Sequence, residues 1–120
     1  LEFVQSSWLA GLTGRCDVIV SNPPYVETRT IETLPPEVAR FDPILALDGG
    51  ADGLTAYRHI VPQAFDCLEP GGYLCLETGS GQANMVLELI IECGFIDSAP
   101  IPALRHDLAG HVRVVTGQKP

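Results

Sequence analysis

Apolar positions along this chain fall alternately into short continuous runs and helical repeats, and their order predicts an α/β fold. A run rich in β-branched residues covers Cys16–Ser21 and stops at two prolines, which is typical of a strand buried on both faces. Residues 73–77 form a second such run, expected to begin after a turn at 69–72. Between the two runs, apolar residues recur at helical spacing, at Leu54, Tyr57, Ile60, Val61, Ala64, Phe65 and Leu68.

The rest of the pattern predicts how the sheet is completed. Asp52 is placed to cap the first long helix, and Pro62 within that helix predicts a kink or a later start. A second helix is predicted over residues 82–93, followed by strands over 95–101 and 112–117. Strand–helix–strand units pair in parallel, and no helix separates the last two strands. The sequence therefore predicts a parallel sheet that ends in an antiparallel strand pair.

The connection over residues 26–53 is polar and rich in proline and glycine. A connection of this length within a compact domain is usually functional or mobile, and we expect it to cover a substrate. Its Asp42-Pro43 and Asp48-Gly49-Gly50 segments could belong to that cover, but ordinary turn chemistry explains their residue types nearly as well.

Composition and charge narrow the classes of partner. The chain has 120 residues, 46% of them hydrophobic, which suits one domain with a real core. Its net charge is -8 with only 7 Lys and Arg residues, so no direct nucleic-acid contact is expected. No apolar run is long enough for a membrane span, and no signal peptide is recognisable. The four cysteines are expected to be reduced thiols in the core of a cytoplasmic protein, and no metal site is expected. They are Cys16, Cys67, Cys75 and Cys93.

The stretch with the clearest chemistry is Asn22-Pro23-Pro24-Tyr25, directly after the first strand. Ligands of open α/β sheets bind at the carboxyl ends of strands. Because proline has no N–H, this loop offers acceptors, namely the side-chain oxygen of Asn22 and the carbonyls of Asn22 and Pro23, and Pro24 fixes the direction of the second carbonyl. Such acceptors beside the Tyr25 ring suit an amide or an exocyclic amine. The opposing interpretation is that the prolines only break the strand, with Asn22 as its cap.

Four segments together resemble a known family. "DVIVSNPPYV" resembles motif IV of the S-adenosylmethionine-dependent methyltransferases that modify planar amino groups. "RFDPILALDGGADGLTAYRHI" at 40–60, "LEPGGYLCLETGSGQ" at 68–82 and "RHDLAGHVRVV" at 105–115 resemble the branch that methylates protein glutamines. Within it, the chain is most similar to the peptide chain release factor glutamine methyltransferase family, which acts on the glutamine of a Gly-Gly-Gln motif.

The resemblance implies the C-terminal half of a Rossmann-like class I methyltransferase fold, with S-adenosylmethionine as cofactor and a release factor as protein partner. It implies that Asn22 and the Pro23 carbonyl hold the substrate amide nitrogen and so act in catalysis. Pro24 and Tyr25 would border that amide, and Asn22 would also touch the edge of the cofactor. Holding the amide hydrogens favours a pyramidal nitrogen whose lone pair points to the methyl group, so positioning and electrostatics supply most of the catalysis.

The chain departs from the family pattern in one respect. No glycine-rich loop or acidic ribose ligand of the cofactor-binding half precedes Cys16. Residues 1–120 are therefore predicted to be the C-terminal part of one catalytic domain, without that half and with negligible cofactor binding alone. The strand at 17–21 would then be an open apolar edge, and we expect self-association through it.

The sequence is compatible with more than one function, and with more than one role for several polar side chains. An adenine-N methyltransferase acting on DNA or RNA shares the N-P-P-Y sequence, although the acidic charge disfavours it. A methyltransferase for a ribosomal-protein glutamine and a non-catalytic binding module are also compatible with the sequence. Glu77 is as compatible with facing the site as with lying on its rim. Surface, local-pair or turn roles are expected for Arg105, His106, Asp107, His111, Arg113 and the glycine-rich segment at 79–81.

Overall fold

The computed structural model describes residues 1–97 and 101–120, and these form a four-stranded sheet in the order β1-β2-β4-β3. Two long helices, α4 and α5, contact each other and pack on the sheet. The elements in chain order are β1 (Cys16–Ser21), α1 (Thr28–Ile31), α2 (Pro36–Phe41), α3 (Ile44–Leu47), α4 (Thr55–Cys67), β2 (Leu68–Glu77), α5 (Ala83–Cys93), β3 (Leu104–His106) and β4 (Val112–Gln118).

Strand pairing confirms the predicted sheet type. β1 pairs parallel with β2, whereas β4 pairs antiparallel with both β2 and β3. The register places Ile19 opposite Leu74, and Leu76 opposite Val115. All four side chains are buried, so they mark the face of the sheet that the two long helices cover. This arrangement brings the carboxyl ends of β1 and β2 to one edge of the sheet.

Helix α4 begins at Thr55 and continues through Pro62. The exposed position of Pro62 explains this, because a carbonyl that loses its helical N–H partner there can be solvated by water. Of the two alternatives predicted for Pro62, the later start is therefore wrong, and the kink stays a prediction. Asp52 is not the N-cap either, since Leu54 holds that position. Asp52 instead accepts a hydrogen bond from the Leu54 N–H at 3.0 Å and pairs with Arg58, which lowers the pKa of Asp52 to about 2.

The prediction of a turn at residues 69–72 is wrong, because β2 starts at Leu68 and runs through them. The pairing slips at this point: Cys16 lies opposite Leu68, but Val18 lies opposite Tyr73. The extra residues of β2 form a bulge or a longer irregularity in the pairing, within a strand that continues. Their backbone still finds partners, since the Gly71 N–H donates to Lys119 at 2.8 Å. Gly71 has a φ of +85°, which explains why glycine is present.

The strand predicted over 95–101 does not exist as such in the described residues. Ile96 forms only an isolated bridge to Gln118, and residues 98–100 of that prediction lie outside the described residues. The third strand is β3, in a stretch predicted to be a loop. Arg105 and His106 are exposed in it, so no continuous apolar run marks the strand. Its antiparallel pairing with β4 agrees with the predicted final pair.

The long connection after β1 is more ordered than predicted, because it contains the three short helices α1, α2 and α3. Pro35 and Pro43 are the N-cap residues of α2 and α3, so these prolines start helices instead of only breaking structure. The backbone of Val26 forms hydrogen bonds with the end of the same connection. Its N–H donates to the Leu47 carbonyl at 2.9 Å, and its carbonyl accepts from the Gly49 N–H at 2.8 Å. This folds α3 back against the residues that follow β1.

Strand β1 lies at the edge of the sheet, and only one of its side-chain faces is covered. Ile19 is buried under the helices, whereas Val18 is 54% and Val20 is 75% exposed. The prediction that both faces of this strand are buried is therefore wrong for the chain as described. The four cysteines are free and half-buried. No helix among the described residues is long and apolar enough to cross a membrane.

Self-association through β1 stays a prediction, and a single lysine tests it. We expect the 120-residue chain to form dimers or larger assemblies, and Val20→Lys to shift them toward monomer, because a charged side chain blocks pairing at an edge strand. Sedimentation velocity measures the change. Ile91→Lys, at a 57% exposed position of α5, is the matched control and should leave the assembly intact. A parent chain that sediments as a monomer at all concentrations contradicts the prediction.

Candidate active site

The residues that follow β1 line a cleft at the carboxyl edge of the sheet. Pro23 is buried, Pro24 and Tyr25 are half-buried, and Asn22 is exposed at the mouth. The cleft has a volume of about 130 Å³, and its walls are Asn22, Pro23, Tyr25, Val26, Ala46 and Leu47. Three of the four residues predicted for the site thus meet in one cleft, and Pro24 is not among its walls. Helix α3, which lies in the connection expected to cover a substrate, supplies the other wall with Ala46 and Leu47, two residues that sequence reasoning did not single out.

Gln82 fixes the backbone of Tyr25. Its side-chain Nε2 donates to the Tyr25 carbonyl at 2.9 Å, while its Oε1 accepts from the Gly79 N–H at 3.1 Å. The Gln82 residue is only 9% exposed, so both bonds form away from bulk water. One amide therefore links the turn between β2 and α5 to the loop that follows β1.

Three glycines make room for this link. A Cβ on Gly49 would lie 2.8 Å from the Tyr25 Cα, and one on Gly53 would lie 2.6 Å from the Tyr25 carbonyl oxygen. A Cβ on Gly79 would lie 2.7 Å from the Gln82 Oε1 and 2.8 Å from the Tyr25 ring. Each distance is shorter than real Cβ contacts allow, so no larger residue fits without displacing Tyr25 or Gln82.

Glu77 lies beside the ring end of Tyr25. The Tyr25 hydroxyl donates to the Glu77 Oε1 at 3.4 Å, and the buried Tyr57 hydroxyl donates to the Glu77 backbone carbonyl at 2.7 Å. Burial, followed by the Glu77 charge, raises the pKa of the Tyr25 hydroxyl. Glu77 thus contacts the Tyr25 hydroxyl but is not among the residues that line the cleft, and both positions compatible with the sequence stay open.

Other polar residues near the site have local roles. Asp48 accepts hydrogen bonds from the Thr28 hydroxyl at 2.7 Å and from the Gly50 N–H at 2.9 Å, which lowers the pKa of its carboxyl. It closes a turn, as the turn interpretation of that segment predicts. Arg113 pairs with Asp107 at 3.1 Å, which confirms the expected local pair. None of Asp48, Asp107 and Arg113 is among the residues that line the cleft.

Sequence reasoning missed Gln82 and Tyr57 as supports of the site. The hydrophobic pattern marks Gln82 only as the start of a helix, and Tyr57 only as a core position. A signal for Gln82 was present, because a glutamine directly after a glycine-rich turn lies where the carboxyl ends of two parallel strands meet. For Tyr57 no signal existed, since helical spacing places its ring in the core but does not show what its hydroxyl contacts.

No family model matches the chain. Curated relatives do, and two of them are release factor glutamine methyltransferases, from Bradyrhizobium diazoefficiens at 47% identity and from Rhodospirillum rubrum at 44%. Both matches cover 98% of this chain, but they cover only 38% and 35% of the relatives. A release factor glutamine methyltransferase of Geobacter sulfurreducens is 54% identical over 69% of this chain and 29% of its own length. The chain thus spans well under half the length of these relatives.

Solved structures support the fold. A methyltransferase from Pyrococcus furiosus matches with a TM-score of 0.56 at 19% identity, over 90% of this chain and 43% of its own. TrmN from Thermus thermophilus matches with a TM-score of 0.52 at 19% identity, over all of this chain and 29% of its own. The sheet is therefore that of the later strands of a Rossmann-like methyltransferase. On these sequence matches, the chain belongs to the release factor glutamine methyltransferase family and corresponds to the C-terminal part of its proteins.

Proposed function

We propose that this chain supplies the acceptor site for methylation of a protein glutamine by S-adenosylmethionine. The glutamine of a Gly-Gly-Gln motif in a peptide chain release factor is the proposed substrate. The observation that carries the proposal is the loop at the end of β1, whose two prolines lack N–H donors and which lines a cleft of about 130 Å³ beside a tyrosine held by Gln82.

The chemistry of the loop matches what an amide nitrogen needs. A primary amide has two N–H donors, and its lone pair is delocalised into the carbonyl, which makes it a poor nucleophile. In this proposal the Asn22 Oδ1 and the Pro23 carbonyl each accept one N–H. This orients the nitrogen and draws its lone pair out of conjugation. Tyr25 packs on the flat face of the amide, and Pro24 keeps the loop extended. The fold holds both acceptors in place before the reaction, so orienting the amide requires little rearrangement of the protein in the transition state.

S-adenosylmethionine, when bound, supplies the methyl group from a sulfonium centre. The loop after β1 suits the amide rather than this cofactor, because its two prolines remove the backbone N–H donors that a carboxylate requires. Asn22 is the residue of this chain proposed to reach the edge of the cofactor. The free cysteines fit a reducing, cytoplasmic setting for the whole reaction.

A chimera provides the direct test. The segment of the Bradyrhizobium diazoefficiens relative that matches this chain is replaced by residues 1–120, which differ from it at about half the positions. We expect the chimera to methylate a release factor once, on the Gly-Gly-Gln glutamine, as measured by mass spectrometry of the digested product. Replacing that glutamine by glutamate should abolish the mass gain.

The same assay separates the competing functions. Methylation of DNA or RNA in place of the release factor would support an adenine-N methyltransferase, and methylation of a ribosomal protein would support the sibling branch. A chimera that unfolds as cooperatively as the parent relative, yet transfers no methyl group while the parent does, contradicts the proposed function. It would then favour a non-catalytic binding module.

A further inference from the structure

An apolar surface adjoins the mouth of the cleft. Phe41 is 75%, Ile44 is 61% and Leu45 is 91% exposed, and they occupy the end of α2 and the start of α3. We call these three residues the α2–α3 patch. Helix α3 connects the patch to the cleft, because its next two residues, Ala46 and Leu47, line the cleft wall. A patch of large apolar side chains at such a place indicates a binding surface.

The charges around the patch restrict what it can bind. Residues 26–53 carry six acidic and two basic side chains. A nucleic acid would meet this negative surface with its own negative phosphates, which is unfavourable. A second copy of the chain would bring two acidic rims together, which is unfavourable for the same reason. The complementary partner is therefore a protein surface that is apolar at its centre and basic around it.

The composition of the patch suits protein–protein contact. The Arg40 guanidinium lies 5.6 Å from the centre of the Phe41 ring, and paired Arg and aromatic side chains are enriched where interfaces gain most of their affinity. Residues that bind a partner must also be accessible beforehand, and the three apolar side chains are. The cleft itself holds one small group and offers few contacts, so affinity for a large substrate has to come from outside it.

We propose that the α2–α3 patch docks the protein that carries the acceptor glutamine, by contacting an apolar and basic surface next to that glutamine. The proposal rests on the proposed function, because it assigns the patch to the substrate of the same site. Short peptides that contain the acceptor glutamine would then reach the cleft without this contact. Intact protein substrate would use both.

Leu45→Asp in the chimera tests whether intact protein uses the patch while short peptides use the cleft alone. For intact release factor we expect KM to rise about tenfold with kcat unchanged, since a buried leucine contact is replaced by a charge at the interface. For a short Gly-Gly-Gln peptide both constants should stay the same. Leu108→Asp is the matched control, because Leu108 is fully exposed in the turn between β3 and β4. It should change neither KM nor kcat for either substrate.

Several outcomes would overturn the docking proposal. An equal KM rise for protein and peptide would place the effect in the cleft. A lower unfolding temperature for the Leu45→Asp chimera than for the chimera with Leu45 would mean that the patch packs against the rest of that protein. Loss of self-association with unchanged kinetics would assign the patch to a second copy.

Calorimetric titration separates this inference from the proposed function. Intact release factor is titrated into the 120-residue chain and into its Leu45→Asp variant. If the chimera is inactive on both substrates but the chain binds release factor at least tenfold more tightly than the variant does, docking stands while the proposed function fails. If the chimera is active but Leu45→Asp behaves like the parent chain in both experiments, the docking proposal fails alone.

Discussion

Asn22→Ala is expected to reduce methyl transfer by the chimera about 10²-fold, which corresponds to ~2.7 kcal/mol of lost transition-state stabilisation. In the proposed mechanism the side-chain oxygen accepts one amide N–H, and this bond would strengthen as the nitrogen gains positive charge during methyl transfer. Because the bond is stronger in the transition state than in the ground state, the loss should appear in kcat more than in KM. Steady-state kinetics with the release factor measures both constants.

Three further measurements support or contradict this role. Asn22→Asp keeps an acceptor oxygen, so it should retain more activity than Asn22→Ala. Asn84→Ala, at an exposed position of α5, is the matched control and should keep full activity. Asn22 is exposed, so Asn22→Ala should unfold at the same temperature as the parent chain. Equal kcat for parent and Asn22→Ala would remove Asn22 from the mechanism, and equal loss in the Asp and Ala variants would remove its acceptor role.

The position of the site was predictable because it follows from sheet geometry and covalent chemistry. A β-branched run that ends at two prolines marks the carboxyl end of a strand, and proline removes donors wherever it occurs. The cleft at Asn22, Pro23 and Tyr25 therefore agrees with the sequence prediction of where a ligand would bind. Their roles in catalysis stay proposals. The connection over residues 26–53 was expected at the site, but its lining residues Ala46 and Leu47 were not predictable, since they reach the cleft through the folding of three helices too short to show a period.

The errors in the predicted fold have a common physical cause. Local pattern does not show which neighbour a backbone pairs with. Residues 69–72 have turn chemistry, yet β2 accommodates them as an irregularity in its pairing because Gly71 and Gly72 bond to Lys119, the residue directly after β4. β3 has no apolar run, yet it pairs because its neighbour β4 offers a free edge. Helices α4 and α5 were predicted closely, since a helix satisfies its own backbone and needs only an apolar face.

Gln82→Met is expected to lower the free energy of unfolding by about 2–4 kcal/mol, a large effect for a polar side chain. Methionine has nearly the same length and shape but neither donates nor accepts in this way. The Gly79 N–H and the Tyr25 carbonyl would lose their partner in a place that is only 9% exposed at Gln82. Urea unfolding of the 120-residue chain, followed by circular dichroism, measures the loss.

A second glutamine in the chain provides the matched control. Gln118 Nε2 also donates to a backbone carbonyl, that of Gly71, at 2.9 Å, but this bond is exposed. Gln118→Met should therefore cost less than about 1 kcal/mol, because water replaces the lost partner. In the chimera, assayed well below its unfolding temperature, Gln82→Met should still lower kcat, since Tyr25 would no longer be held beside the amide. Equal destabilisation by the two variants would show that burial does not set the cost. Unchanged kcat for Gln82→Met would show that the Gln82 link serves the stability of the fold and not the position of Tyr25.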